Sequence, residues 1–175
     1  MNLQVGSGDH KVAPALYKRS NWVNIDIIRV PGVNVLASGC QLPFKKDSFE
    51  EIHCFHVLEH VTRDKYKPMI SEMYRVLKPG GYLYVETPDF QGTVAKLTEA
   101  FSAGDVRAIH VWTTSVYGKN ERPGMSHHWG FYEGLLIGEF KNQGLKDVVR
   151  ITDINELPRA SHWASEPVLC VRGVK

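Results

Sequence analysis

Cysteine is scarce in this chain. Cys40, Cys54 and Cys170 are the only three, and none forms a C-x-x-C pair, so neither a disulfide framework nor a zinc ribbon is indicated. A reducing cytoplasm fits that usage. Charge of one sign is equally short: 21 Lys and Arg stand against 19 Asp and Glu, a net +2. That balance lacks the dense basic footprint of proteins held by phosphate contacts, so the sequence carries no strong nucleic-acid signal. Apolar runs are short as well. None approaches the ~20 residues needed to span a bilayer, and Met1 to Gly6 lacks a basic segment followed by an apolar core. The expectation is a cytoplasmic protein with no membrane anchor and no export signal.

What is present suits one compact body. A length of 175 residues with 43% hydrophobic and 23% charged residues predicts a single domain over 1–175. Leu3–Val5 is a short apolar run closed by Gly6-Ser7-Gly8, and the same rhythm of strand then turn recurs at Val23–Asp26 and Val33–Leu36. Further strands are predicted at Glu51–Phe55 and Tyr82–Glu86. Between them Tyr66, Met69, Ile70, Met73, Tyr74 and Leu77 follow helical spacing, with Pro68 early in the helix and Lys78-Pro79-Gly80 as its stop and C′ glycine. Val94, Leu97 and Phe101 predict a helix closed by Gly104, and Leu135 to Phe140 another closed by Gly144. Residues from about 105 to 129 show no sustained period and read as a long loop, functional or mobile, rich in His, Trp, Tyr and Gly. Lys146–Ile154 and Pro167–Val174 read as a closing antiparallel pair of strands. Alternating strands and helices predict an α/β fold, a Rossmann-like three-layer sandwich with a mostly parallel sheet and an antiparallel C-terminal strand. Ligands of such sheets bind beyond the carboxyl ends of the strands.

The pattern at those ends suggests a nucleoside. Gly6-Ser7-Gly8 supplies a tight turn that a ligand can approach closely, and Asp26 follows 18 residues after Gly8 at the end of the second strand. A carboxylate there can accept hydrogen bonds from both ribose hydroxyls. A dinucleotide site wants a third glycine three residues past Gly8, where this chain has Lys11, with Pro14 soon after.

Five blocks, in order, resemble the class I S-adenosylmethionine-dependent methyltransferases of the methyltransferase domain 11 type. They are Val5-Gly6-Ser7-Gly8-Asp9, Val23-Asn24-Ile25-Asp26, Gln41-Leu42-Pro43-Phe44 with Asp47-Ser48-Phe49-Glu50, His56-Val57-Leu58-Glu59-His60-Val61, and Glu72 through Gly81. His127-His128-Trp129-Gly130-Phe131 is similar to the family's segment that closes over the acceptor. The resemblance implies S-adenosylmethionine as cofactor and methyl transfer by in-line displacement. It implies that Gly6, Ser7 and Gly8 lie against the methionine part, that Asp26 holds the ribose, and that Ile27 contacts the adenine face. Relatives often place an Asp four residues before the Leu of L-P-F, where this chain has Ser38; Ser38 with Gly39 and Cys40 would then meet the ring. His56 would sit beside the transferable methyl.

His56, His127 and His128 are the candidate catalytic residues. One imidazole of the pair near Trp129 would remove a proton from a hydroxyl or amine as the methyl arrives. Trp112, Tyr117 and Arg122 are weaker candidates, His53 reads as structural, and His10, His110 and His162 take no role. His56-Val57-Leu58-Glu59-His60 also spells H-x-x-E-H, a zinc-protease pattern, but here it leaves a strand and lacks the further acidic ligand; no metal is expected. There is no N-P-P-Y or D-P-P-Y after the fourth strand, which argues against methylation of DNA amines. The first strand begins almost at Met1, so the N-terminal helices that roof the acceptor site in many relatives are missing. The long loop, a second subunit or a large exposed acceptor would take their place. The acceptor is unidentified, with a small molecule or glycan favoured, and a homo-oligomer stays open. Two alternatives remain: a non-catalytic module that binds S-adenosylmethionine or S-adenosylhomocysteine, and an NAD-linked oxidoreductase.

Overall fold

The computed structural model describes residues 1–8, 21–119, 124–153 and 167–175. Asp9, His10, Lys11, Pro14, Arg122 and His162 lie outside the described residues. Seven strands form one sheet: β1 (Asn2–Val5), β2 (Trp22–Asp26), β3 (Val35–Leu36), β4 (Phe49–Phe55), β5 (Leu77–Pro88), β6 (Lys146–Ile151) and β7 (Val168–Val174). Their order is β3-β2-β1-β4-β5-β7-β6, with β1 to β5 parallel and β7 antiparallel to both β5 and β6. The expected mainly parallel α/β sheet with an antiparallel terminal strand is what forms. Dinucleotide-binding sheets continue in parallel past β5 in the order 3-2-1-4-5-6. The antiparallel β7 departs from that order.

Four α-helices accompany the sheet among the described residues: α1 (Arg63–Val76), α2 (Phe90–Ala103), α3 (Val106–Tyr117) and α4 (Glu133–Gln143). Tyr66, Met69, Ile70, Met73 and Val76 of α1 turn inward, as their spacing predicts. Leu136 and Phe140 of α4 join them, and together they close over Leu3, Val5, Ile52, Leu83 and Val171 of the sheet. The opposite face carries an aromatic patch, where the fully buried ring of His53 stacks on Phe55 and meets Trp22 and Tyr84. His53 is thus a packed core group. Burial pushes the thiol of Cys170 up to about 12 and that of Cys54 higher still, so both are inert apolar fillers.

Three local expectations are corrected. Residues 105–129 are not one loop, because 106–117 form α3, whose N-terminus is capped by the Asp105 carboxylate accepting from Ala108 N–H at 3.0 Å. Its Val and Thr residues are weak helix formers, and the helix packs against α2. Gly80 is not a helix C′ residue. Helix α1 passes directly into β5 at Leu77, and Gly80, at φ +76°, lies where the β4–β5 register shifts. Pro68, expected early in the helix, sits in the second turn of α1. Finally, Val94 and Phe101 face outward, Phe101 at 61% exposure, while Thr93 and Ala100 face in.

Asp89 ties the site end of the sheet together. Its carboxylate caps α2 through Gln91 and Gly92 N–H and meets Arg150 of β6 at 3.0 Å, which in turn reaches Glu133 of α4. Its own N–H donates to Pro167. Asp89→Ala is expected to lower stability by about 1–3 kcal/mol through the lost cap and the stranded guanidinium. A urea midpoint within error of wild type would show that the network carries no net stability.

Candidate functional site

The register builds the site. Val5, Ile25, Cys54 and Val85 align across neighbouring strands, so the next residues, Gly6, Asp26, Phe55 and Glu86, emerge side by side at the carboxyl edge. Gly6 and Gly8 adopt φ of +67° and +64°, conformations that strain any other residue. At Gly6 space enforces the choice as well, since a Cβ would stand 2.2 Å from Cγ2 of Val57. Ser7 N–H donates to the Ile25 carbonyl at 2.9 Å, and Gly8 N–H donates to Asp26 Oδ2 at 2.8 Å. The other oxygen of Asp26 accepts Ile28 N–H at 3.0 Å. A carboxylate has about four acceptor positions, so Asp26 retains capacity for a pair of hydroxyls.

Ile27, expected against an adenine face, is 69% exposed beside this turn, and Ile28 and Leu36 are exposed near it. Ala37 N–H donates to the Asp26 carbonyl, which brings Ser38, Gly39 and Cys40 to the same edge. Ser38 is not idle there: its hydroxyl accepts Cys40 N–H at 3.2 Å and shapes the turn. Gly39 is buried, and a Cβ on it would run into Met69 at 2.4 Å. Cofactor candidates Gly6, Ser7, Gly8, Asp26, Ile27, Ser38, Gly39 and Cys40 thus line one margin of the sheet.

The catalytic candidates separate. His56 follows β4 directly and adopts φ +53°, rare for a residue with a side chain. Its N–H donates to the Glu86 carbonyl at 2.8 Å, its Nε2 lies 3.0 Å from Glu86 Oε1, and its Nδ1 lies 3.3 Å from Glu59 Oε1. Burial works against its charge, yet the contacts with Glu59 and Glu86 outweigh it and lift the imidazole to about 9. His56 is therefore an imidazolium at neutral pH and has no lone pair with which to take a proton. Burial also pushes the Glu59 carboxyl up, but the His56 contact prevails and holds it below the usual carboxylate range.

His127 and His128 part company. His128 is exposed, and its backbone N–H donates to the Glu59 carbonyl at 2.7 Å. His127 is half-buried and packs edge-on against His60, at 4.9 Å between ring centres. Burial pushes His127 down from its ordinary value, leaving a neutral ring. It lines a small pocket with Glu59, Thr93, Ser115, Trp129 and Gly130. Tyr117 and Trp112 fall on α3, with Tyr117 exposed and outside this pocket.

Sequence reasoning missed Glu86, Thr93 and Ser115. Glu86, at 1% exposure, carried a usable signal: an acid ending an apolar strand beside the first-strand glycines. Thr93 and Ser115 carried none, since only packing brings them to the pocket. Glu59, His60 and His127 each offer one donor atom within 4.8 Å of the others, so they are the described residues able to share an ion.

Residues 3–85 match the family described as "Methyltransferase domain". No curated protein matches the sequence. Among solved structures, the chain resembles a Thermotoga maritima S-adenosylmethionine-dependent methyltransferase, a "possible histamine N-methyltransferase". That match has 20% identity and a TM-score of 0.60 and covers 99% of this chain and 81% of the other. It also resembles the Burkholderia thailandensis 1,6-didemethyltoxoflavin-N1-methyltransferase, solved with 1,6-didemethyltoxoflavin and S-adenosylhomocysteine, at 13% identity and TM-score 0.61, with 99% and 70% covered. A third likeness is to a chain of the "complex between the Haloferax volcanii Trm112 methyltransferase activator and the putative methyltransferase", at 14% identity and TM-score 0.60, with 99% and 81% covered. The glycine turn facing Asp26 lies within the residues that match this family, and the fold is the one shared with these methyltransferase structures.

Proposed function

We propose that this chain binds S-adenosylmethionine along the Gly6–Gly8 turn and passes the methyl to a small acceptor whose reacting group reaches the narrow pocket beside His127. The observation that carries the reading is the turn itself. Two left-handed glycines turn the chain at the end of β1, and the N–H of the second, Gly8, donates to the carboxylate of Asp26 at the end of β2, inside the region that matches the family. Gly6, Ser7 and Gly8 hold the methionine part, Asp26 the ribose and Ile27 the adenine face. Ser38, Gly39 and Cys40 border the ring through backbone and hydroxyl groups. The sulfonium activates its own methyl, so the chain's task is to align a nucleophile and exclude water.

His56, locked between two carboxylates, is a positioning residue for the edge on which the methyl rests. His127, neutral and lining the pocket, is the candidate catalytic residue toward the acceptor. His128 faces away from it and is not assigned that part. A pocket with buried hydroxyls and an indole N–H favours a compact polar acceptor. The Burkholderia neighbour acts on such a molecule, 1,6-didemethyltoxoflavin.

Calorimetric titration with S-adenosylmethionine, S-adenosylhomocysteine and NAD tests the reading. Both sulfur ligands should bind near the micromolar range, about −8 kcal/mol, with NAD silent. Asp26→Ala should weaken them by about 1.5–3 kcal/mol, and unchanged affinity would remove Asp26 from the site. Release of S-adenosylhomocysteine, measured against a panel of small phenols and amines, separates an enzyme from a binding module. Once an acceptor is found, His127→Ala should lower turnover about 100-fold or more while leaving S-adenosylhomocysteine affinity within about twofold. Full turnover in that variant would place the acceptor elsewhere.

A further inference from the structure

We propose that Glu59, His60 and His127 form a binding site for one divalent transition-metal ion of the zinc, cobalt or manganese kind. The donor atoms, one from each, stand within 4.8 Å of one another. Tetrahedral ligands with bonds of about 2.0–2.1 Å are spaced about 3.4 Å apart, so side-chain rotations of about an ångström close the set on an ion.

Three features point to a cation. The first is the way both rings are held. His60 Nδ1 meets the Ser126 carbonyl at 3.1 Å, and His127 Nδ1 meets the Ser115 carbonyl at 2.9 Å. A carbonyl only accepts, so both Nδ1 atoms carry the proton and both Nε2 atoms present lone pairs. Imidazoles that bind metals are oriented in this way, through the ring nitrogen that does not bind. The second is the carboxylate. Glu59 is 2% exposed, and neither of its oxygens accepts a hydrogen bond among the described residues. The His56 ring at 3.3 Å offsets part of that charge, but it is shared with Glu86. Buried carboxylates are ordinarily surrounded by donors, and this one has only a shared imidazolium beside it. The third is the wall opposite. Thr93 Oγ1, Ser115 Oγ and Trp129 Nε1 are buried without hydrogen-bond partners among the described residues, and they line the pocket that Glu59 and His127 also line.

Two imidazoles and one carboxylate suit a borderline cation and disfavour magnesium and calcium, which want oxygen alone. Three protein ligands also leave coordination positions open, and the shared pocket is where they would open. The H-x-x-E-H pattern in the sequence pairs the wrong residues. His56 is drawn to Glu86, and the second imidazole comes from His127, far along the chain.

The use of such an ion rests on the methyl-transfer reading, though its existence does not. An acceptor hydroxyl bound to it would lose its proton to water. The oxyanion would then form a bond to the methyl carbon as the S–CH3 bond breaks and its electron pair returns to sulfur. His127 would then act on the acceptor through the ion rather than by taking its proton directly.

The test is titration of the chelator-stripped full chain with Co2+, followed by visible absorption, and with Zn2+, followed by calorimetry. One equivalent should bind with Kd of about 10 µM or below, with ligand-field bands of a nitrogen and oxygen environment. Glu59→Gln, His60→Gln and His127→Gln should each weaken binding about 100-fold, while His110→Ala, an exposed histidine on α3, should not. Circular dichroism and the urea midpoint of each metal-free variant establish that it is folded. A loss in either histidine variant suffices should Glu59→Gln fail to fold. Absence of binding in a folded chain that still takes up S-adenosylhomocysteine overturns the metal site and leaves methyl transfer standing. Binding that survives all three substitutions overturns it too, since the ion would then sit elsewhere. A chain that binds the ion but not S-adenosylhomocysteine keeps the site and sinks the transfer reading.

Discussion

Two buried carboxylates, Glu59 and Glu86, share one imidazolium at the carboxyl end of the sheet. Taking an ionised carboxylate out of water costs several kcal/mol unless charge and hydrogen bonds compensate, so the position of His56 is not negotiable. The ring is held there by a left-handed backbone that costs of order 1–3 kcal/mol on its own. The surroundings over-determine it. Its N–H is tied to β5, its ring spans from β5 to the short 3-10 turn at Leu58–His60, and Glu59 in turn anchors the segment before α4 through His128 N–H. Remove the charge pair and β4, β5 and that segment lose their common reference.

This arrangement divides the edge of the sheet into two halves with different electrostatics. On the β1–β2 side, neutral glycine backbone and a half-exposed Asp26 face outward, and the hydrogen bonds that a bound ribose would need are partly organised in advance. On the β4–β5 side the groups are buried, and acid, imidazole and hydroxyls stand within one small pocket. The boundary between the halves runs along Gly6 and Val57, which touch so closely that no side chain fits at Gly6.

Much of this was legible in the sequence for a simple reason: backbone requirements leave local marks. The glycine turn, Asp26 after the second strand, and the inward stripe of α1 each depend on neighbours a few residues away. The closing glycines, Gly104 and Gly144, were legible because left-handed caps favour that residue type. What was missed depends on distant packing. Helix α3 is rich in Val and Thr, which favour helix weakly, and it packs against α2. Val94 and Phe101 form an apolar stripe that faces outward, a choice made by the tertiary fold against the local pattern. Likewise H-x-x-E-H looks like a paired-histidine motif until the left-handed turn at His56 sends its ring away from His60. The differing fates of His127 and His128 follow from one backbone hydrogen bond, which no spacing rule reports.

The position of β7 has a consequence for how the chain is made. The segment 168–174 is inserted in the sheet between β5 and β6, after every residue of the site has already been synthesised. Until it arrives, the whole outer side of β5, from Tyr82 to Pro88, offers unsatisfied N–H and C=O groups to any extended strand nearby. A nascent chain can assemble β1 to β5 and its nucleoside edge early, yet it carries an open, apolar flank through the slowest, longest-range pairing in the fold. Chaperone demand and inclusion-body formation during overexpression should therefore track the rate at which β7 docks, not the stability of the finished protein.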